Sequence, residues 1–204
     1  FSHRIDRAAR QLDTPLDPST RDRLRTWLDL MEAWNQRTDL TAARSADELV
    51  DLGIADALVL GQHVPRDVSL VDVGTGAGAP GLPLAILRPD LAVTLVEPAV
   101  KRVAFLRTVI GTLGLRVPVL RERGDRVADG GSKWGVAVSR ATLEPASWLA
   151  LGLRLVNEGG SIAVLLAREE PPQVSGAILQ QDETYAWPLT GASRRLCIYR
   201  AAGA

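Results

Sequence analysis

The sequence Val71-Asp-Val-Gly-Thr-Gly-Ala-Gly-Ala-Pro-Gly81 decides the fold of this chain. Its first residues are apolar and β-branched around one aspartate, which indicates a short buried strand. Four glycines follow, and glycine lets the backbone turn sharply and approach a ligand that a Cβ atom would exclude. The apolar run after Gly81 indicates a helix, whose first amide groups face the turn. We therefore predict a strand, a ligand-binding turn and a helix.

Outward from this turn, short apolar runs alternate with helical stretches. The alternation is typical of a mostly parallel sheet with helices on both faces, so we predict an α/β fold. The predicted strands are 68–73, 92–97, 117–120, 136–139 and 161–166, and the predicted helices between them are 82–87, 100–113 and 145–156. Gly159-Gly160 is expected to end the last of these helices.

The two ends of the chain have different patterns. An amphipathic helix is predicted over 17–35 with Asp17 as its cap, and a second helix starts at Ser45, where Ser45-x-x-Glu48 forms a capping box. We expect residues 1–64 to form an N-terminal helical cap and residues 65–204 to form the core domain. Segments 184–189 and 196–200 predict a C-terminal antiparallel hairpin.

Composition excludes several classes of protein. The 24 basic and 24 acidic residues balance, so there is no global attraction to a phosphate backbone. Cys197 is the single cysteine, and His3 and His63 lie far apart, so we predict no internal disulfide and no metal site. No apolar run reaches the length of a membrane span and no basic-then-apolar leader is visible, so we expect a soluble cytoplasmic protein.

The glycine turn alone does not identify its ligand. Gly76-x-Gly78-x-x-Gly81 also satisfies the dinucleotide fingerprint, so NAD and S-adenosylmethionine both fit it. Asp72 favours S-adenosylmethionine over NAD. A carboxylate at this position attracts the amino group of the methionine moiety, directly or through water, and repels the pyrophosphate of NAD. Glu97 ends the second strand, where an acidic side chain accepts the ribose hydroxyls of either ligand. We therefore predict an S-adenosylmethionine site.

Three further residues belong to this site by their place in the fold. Arg126 and Val127 follow the third strand, where backbone groups are expected to face the adenine. Arg140 ends the fourth strand, at the sheet edge where ligands of open α/β sheets bind. Its guanidinium is the candidate catalytic-pocket group that holds the methyl acceptor by charge-assisted hydrogen bonds.

These residues together resemble a known family, the bacterial 16S ribosomal RNA guanine-N7 methyltransferases, also called the glucose-inhibited division protein B family. The motifs that carry the resemblance are Trp34-Asn35-x4-Leu40-Thr41, the stretch from Val71 to Ala85, Arg88-Pro89, Lys101-Arg102-x3-Leu106-Arg107 and Ser139-Arg140-Ala141. The resemblance implies a Rossmann-like class I methyltransferase fold, S-adenosylmethionine as donor and a guanine of the small ribosomal subunit as acceptor. It implies donor binding by Gly74, Thr75, Gly76, Gly78, Gly81, Glu97, Arg126 and Val127, with Arg140 in the catalytic pocket.

The chain departs from this family on the acceptor side. An Arg-His pair that usually precedes Asp56 is absent, Thr142 stands where a phenylalanine is usual, and Ala167-Arg168 replaces a lysine-glycine pair. Two alternatives therefore stay open: a methyltransferase with a small-molecule acceptor, such as a heterocycle, and a non-catalytic module that binds S-adenosylmethionine.

Overall fold

The computed structural model describes residues 1–203, in which seven strands form one sheet. The strands are β1 (Ser69–Val73), β2 (Ala92–Val96), β3 (Val119–Leu120), β4 (Trp134–Arg140), β5 (Val156–Leu166), β6 (Ala177–Ala186) and β7 (Ser193–Ala201). Their order is β3-β2-β1-β4-β5-β7-β6. The first five are parallel, whereas β7 runs antiparallel to both β5 and β6. The predicted parallel sheet and C-terminal hairpin are confirmed.

Helices precede the sheet and connect its strands. They are α1 (Ser2–Gln11), α2 (Pro18–Asn35), α3 (Ala46–Val50), α4 (Asp56–His63), α5 (Gly81–Leu87), α6 (Val100–Leu113), α7 (Gly124–Asp129) and α8 (Pro145–Leu155). A π-helical segment, Asp51–Ala55, joins α3 to α4 without a break. None of the helices within residues 1–203 has the length and apolar character needed to cross a membrane.

The helices bury both faces of the sheet. One core combines Leu70 and Val138 of the strands with apolar side chains of α1, α2, α4, α5 and α6. The other combines Val71 and Ala137, which point to the opposite face, with side chains of α7 and α8. Because successive strand residues alternate between faces, a strand buried on both sides is apolar throughout, and this pattern identified the sheet in the sequence.

The predicted helix caps form as the sequence indicates. Asp17 accepts hydrogen bonds from the backbone N–H groups of Ser19 and Thr20 at 2.9 and 3.0 Å, which satisfies donors that the first turn of α2 leaves free. Ser45 accepts from the N–H of Glu48 at 3.1 Å, and the Glu48 carboxylate reaches back to the N–H of Arg44. The capping box is therefore present, with its return bond shifted by one residue.

The glycine pair before the fifth strand was assigned wrongly. Helix α8 ends at Leu155 and β5 begins at Val156, so Gly159 and Gly160 lie within the strand segment and not at a helix end. Trp134 pairs with Val156 while Val136 pairs with Ser161, so the chain bulges out of register between these pairs. Gly159 has a φ of 68°, a left-handed conformation that glycine adopts without strain.

Other boundaries also differ from the prediction. Strand β6 begins at Ala177 and ends at Ala186, instead of spanning 184–189, because it is an edge strand whose polar residues hide the apolar alternation. Helix α1 was missed, although Ile5, Ala8 and Ala9 form its buried face. No helix is predicted for the segment after the third strand that contains Arg126 and Val127, but this segment forms the short helix α7.

The strand order reverses between β1 and β4, which are neighbours in the sheet. The crevice at such a switch point, beyond the carboxyl ends of the strands, is where open α/β sheets bind ligands. The glycine turn leaves β1 there. Helix α2 covers it, and the buried Trp27 indole donates a hydrogen bond from Nε1 to the carbonyl oxygen of Ala77 at 3.1 Å. The N-terminal helices are thus fastened directly to the turn.

We expect Trp27→Phe to lower the free energy of unfolding by about 1–3 kcal/mol beyond the cost of the smaller ring, because it leaves the buried Ala77 carbonyl without its donor. Urea unfolding measures this loss. Trp134→Phe is the matched control, since it removes the same ring volume and a long 3.4 Å hydrogen bond to the Thr94 hydroxyl. Equal losses in both variants would contradict the role given to the Trp27 bond.

Candidate active site

A cavity of about 470 Å³ lies over the carboxyl ends of β1, β2 and β4. Its floor is the glycine turn, with Gly74, Thr75 and Gly76, and Glu97 and Arg140 line it on opposite sides of β1. The size is within the range of small-molecule and cofactor sites. The cavity therefore coincides with the crevice at the switch point of the sheet.

The turn holds its bend through backbone bonds to the neighbouring strand. The N–H groups of Gly74 and Thr75 both donate to the carbonyl oxygen of Val96, at 2.8 and 3.1 Å. Gly76 has a φ of 60°, and no atom lies within 4 Å of the position that a Cβ would take there. A ligand can therefore approach the backbone of Gly76 closely, which a side chain would prevent.

Asp72 braces the turn from behind. Its Oδ2 accepts hydrogen bonds from the Thr75 hydroxyl at 2.6 Å and from the Gly81 N–H at 2.8 Å. The side chain is fully buried and does not line the cavity, and its Oδ1 has no hydrogen-bond partner within residues 1–203. Burial raises the pKa of Asp72 to about 6, against the lowering effect of its two donors.

Gly78 and Gly81 shape the turn and lie away from the cavity. A Cβ at Gly81 would stand 2.7 Å from the Cβ of Asp72, and one at Gly78 would stand 2.9 Å from the Cβ of Leu82. Both glycines therefore allow α5 to pack against β1 and against its own first turn. The sequence grouped them with the ligand-binding glycines, and their contacts indicate a packing role.

Glu97 clamps the turn from the side that faces the cavity. Its Oε2 accepts from the Gly76 N–H and its Oε1 from the Ala99 N–H, each at 2.9 Å. The side chain is 2% exposed but borders the cavity. Each carboxylate oxygen has a further acceptor site, so Glu97 can bind hydroxyl donors without releasing the turn.

Arg140 lies on the opposite wall in a polar network. Its Nη1 donates to the Leu52 carbonyl in the π-helical segment and to Asp56 Oδ2 at 3.1 Å. Asp56 Oδ1 in turn accepts from the Tyr185 hydroxyl at 2.6 Å and from the Trp187 indole at 2.8 Å. Burial, followed by the charge of Asp56, raises the pKa of Tyr185 far above its usual range, so the phenol stays a donor.

Arg126 and Val127 do not border this cavity. Val127 is buried in the core beneath α7, and Arg126 is exposed. Their neighbours Gly124 and Asp125 line a separate hollow beside the glycine turn, together with Pro98 and Thr142. The structure thus places the start of α7 near the turn and leaves the two predicted residues outside both spaces.

Sequence reasoning missed the roof of the cavity. Met31 of α2 and the loop residues Leu40 and Thr41 cover it, and Arg102 borders it from α6. Asn35 orders this roof, because its side-chain oxygen accepts from the N–H groups of Leu40 and Thr41 at 2.8 and 3.1 Å. The sequence signal for this roof is the spacing Asn35-x4-Leu40-Thr41, which the two hydrogen bonds to Asn35 explain.

Metal ligands do not cluster within residues 1–203: no three His, Cys, Asp or Glu side chains there are grouped so that they could hold an ion.

Comparison with known proteins gives one consistent result. A family model described as rRNA small subunit methyltransferase G matches residues 20–177. A protein of Anaeromyxobacter dehalogenans (strain 2CP-C) named ribosomal RNA small subunit methyltransferase G is 37% identical over 171 residues, which cover 83% of this chain and 80% of that protein. A protein of the same name from Halorhodospira halophila is 35% identical and covers 92% and 90% of the two chains.

Solved structures support the fold. A methyltransferase from Pyrococcus furiosus superposes with a TM-score of 0.57 at 15% identity, covering 87% of this chain and 98% of its own. TrmN from Thermus thermophilus gives a TM-score of 0.60 at 18% identity, covering 82% and 53%. The Rossmann-like class I methyltransferase fold implied by the sequence is confirmed.

We expect the raised pKa of Asp72 to make stability depend on pH. The folded protein holds this proton more tightly than the unfolded chain, so the stabilisation is complete below about pH 4 and is lost as the pH rises to about 6. Asp72→Asn keeps an oxygen for Thr75 and Gly81 but cannot ionise. The unfolding free energy of the variant relative to the native protein should therefore rise by on the order of 2–3 kcal/mol between pH 4 and 7.

Urea unfolding of both proteins across this pH range measures the difference. Asp13→Asn, at an exposed aspartate, is the control and should show no comparable pH-dependent gain. A constant offset between Asp72→Asn and the native protein at all pH values would contradict the assignment.

Proposed function

The chain belongs to the rRNA small subunit methyltransferase G family and is a methyltransferase, and on that premise we propose that it methylates N7 of a guanine in small-subunit ribosomal RNA with S-adenosylmethionine as donor. The observation that carries the proposal is the glycine turn, open at Gly76 and clamped by Asp72 and Glu97, on the floor of the switch-point cavity. Because the proposed acceptor is ribosomal RNA, we propose that the reaction takes place in the cytoplasm.

The donor side of the cavity fits a sulfonium nucleoside. Gly74, Thr75 and Gly76 offer backbone that a ligand can approach, and the remaining acceptor sites of Glu97 suit the two ribose hydroxyls. Asp72 contributes through its charge, since its carboxylate lies behind the turn and its field favours a cationic amino group in front of it. Contact of Arg126 and Val127 with the adenine stays a prediction.

Bound S-adenosylmethionine supplies an electrophilic methyl group, and the protein supplies alignment. Methyl transfer is an in-line displacement, in which positioning alone contributes about 7–11 kcal/mol. Guanine N7 carries an unprotonated lone pair, so the acceptor needs no general base. This agrees with the cavity lining, which contains no histidine within the described residues.

Arg140 is the residue that we assign to the acceptor. Its Nη1 is occupied by Leu52 and Asp56, while Nε and Nη2 have no partner within residues 1–203. Arginine often binds guanine through O6 and N7 together, but a hydrogen bond at N7 would occupy the lone pair that must attack the methyl group. We therefore assign the free donors of Arg140 to guanine O6, which leaves the N7 lone pair free to attack the methyl group.

Labelled donor tests the proposal against its alternatives. We expect the protein to transfer the methyl group of S-adenosylmethionine to unmethylated small ribosomal subunits and not to a small-molecule extract of the same cells. Label in the extract alone would favour a small-molecule acceptor. Donor binding in calorimetry with label in neither fraction would favour a non-catalytic binding module, and binding of NAD without S-adenosylmethionine would overturn the site itself.

Glu97→Ala should weaken binding of S-adenosylmethionine by about 1–3 kcal/mol, because it removes the acceptors assigned to the ribose hydroxyls. Glu97→Gln, which keeps one acceptor oxygen, should fall between this variant and the native protein. Titration calorimetry measures the affinities, with exposed Glu158→Ala as the control and circular dichroism to verify folding. An unchanged affinity in Glu97→Ala would remove Glu97 from the donor site.

A further inference from the structure

The helix that runs from α3 into α4 contains the π-helical segment, which begins at Asp51. Asp56 follows this segment directly as the first residue of α4. In an α-helix two residues five apart point about 140° away from each other, whereas the i→i+5 bonds of a π turn place them nearly one above the other. The π turn therefore brings two buried aspartates to the side of the helix that faces the C-terminal hairpin.

Asp51 binds the turn between β6 and β7. Its carboxylate accepts hydrogen bonds from the N–H of Leu189 at 3.2 Å and from both the N–H and the hydroxyl of Thr190 at 2.8 Å. The side chain is fully buried, and burial raises the pKa of Asp51 against the lowering effect of these donors. Because a buried carboxylate is costly unless donors satisfy it, these bonds hold the π-helical segment and the hairpin turn together.

The two residues that hold Arg140 lie just beyond this anchor. Leu52, the next residue in the chain, offers its carbonyl oxygen to Nη1 of Arg140, and Asp56 accepts from the same nitrogen at 3.1 Å. A π turn shifts the helical hydrogen bonds by one residue, so one carbonyl oxygen is left out of the helical pattern and can bind a side chain. The position of the guanidinium therefore depends on the geometry of the π turn.

Contacts outside the helix must favour the π turn, because π turns are rare in proteins and the α form is the usual alternative. On the side of α2, Gly53 packs so closely that a Cβ there would stand 3.1 Å from Cδ2 of Leu28. On the side of the hairpin, Asp51 supplies the hydrogen bonds to Thr190. If the segment relaxed to α geometry, Asp51 and Asp56 could not both face the hairpin.

We propose that Asp51 is a positioning residue for Arg140, which acts by tying the π turn to the tip of the hairpin. Asp51 does not line the switch-point cavity, so it acts through Arg140 and not by contact with a substrate. Its hydrogen bonds hold the Leu52 carbonyl and Asp56 where they fix the guanidinium, and the guanidinium orients the base. This inference rests on the proposed function, which assigns Arg140 to the acceptor.

Two variants of Asp51 test the inference with unmethylated small ribosomal subunits and labelled S-adenosylmethionine. Asp51→Ala removes every acceptor for the hairpin turn, whereas Asp51→Asn keeps one acceptor oxygen and the shape of the side chain. Asp17→Ala is the matched control, because Asp17 also accepts from two backbone N–H groups and one threonine hydroxyl, at the start of α2. Circular dichroism verifies folding, and Asp51→Asn decides the matter if Asp51→Ala does not fold.

We expect Asp51→Ala to lower kcat for the subunits by about tenfold to a hundredfold, as a guanidinium displaced by about 1 Å implies, with the affinity for S-adenosylmethionine unchanged within about twofold. Asp51→Asn should fall between this variant and the native protein. Asp17→Ala should lower the urea midpoint, because it removes a helix cap, and keep kcat within about twofold of the native value.

A double-mutant cycle separates positioning from a general loss of stability. In an Arg140→Lys background the guanidinium fork is absent, so there is nothing left for Asp51 to position. Asp51→Ala should therefore change kcat by less than about twofold in that background. Single turnovers with the enzyme in excess over the subunits measure these slow variants.

Three results would overturn the inference. The first is native kcat in the folded Asp51 variants, and the second is an equal loss of kcat in Asp17→Ala. The third is the same fractional loss from Asp51→Ala whether residue 140 is arginine or lysine, because Asp51 would then act on the fold as a whole. Failure of the proposed function is recognised separately, since the native protein would then leave the subunits unlabelled.

Discussion

The bend after β1 depends on two buried carboxylates that hold the same short turn from opposite sides. Asp72 binds the turn at Thr75 and Gly81, and Glu97 binds it at Gly76. Burying a carboxylate is costly unless donors satisfy it, so the Thr75 hydroxyl and the N–H groups of Gly76 and Gly81 stabilise both the acids and the turn. Asp72 remains under-satisfied, with one oxygen lacking a partner within residues 1–203.

The acceptor side is assembled from segments far apart in sequence. The π-helical segment and the start of α4 meet the C-terminal hairpin through two buried aspartates. Asp51 accepts from the N–H groups of Leu189 and Thr190, and Asp56 accepts from Tyr185 and Trp187. Single-turn π segments often occur at functional sites. Here the segment also offers the Leu52 carbonyl to the guanidinium of β4, so that the N-terminal helices, the sheet and the hairpin fix one side chain together.

The features that could be predicted from the sequence are those that depend on a local pattern of residues. The buried strands, the glycine turn and the acids at two strand ends lie within short stretches whose periodicity and composition identify them, and the structure confirms the fold built on them. Arg140 was placed correctly at the end of β4, but its partner Asp56 lies 84 residues away and no local pattern joins them. Gly159-Gly160 was expected to end a helix, but a glycine pair is equally suitable for a β-bulge, and in the structure it lies in the bulged part of β5. Arg126 and Val127 were located by analogy of position, and the short helix α7 turns them away from the cavity.

The contacts in the structure explain how the chain accommodates its departures from the family pattern. Thr142 stands where a phenylalanine is usual, and it packs directly on the glycine turn, within 2.4 Å of the position that a Cβ of Gly74 would take. Ala167-Arg168 replaces a lysine-glycine pair, and Glu169 binds both backbone N–H groups there. The missing Arg-His pair leaves Asp56 satisfied by Arg140 and by two aromatic donors of the hairpin. Each changed position is therefore packed or hydrogen-bonded, so the contacts of this chain on the acceptor side accommodate the departures from the family pattern.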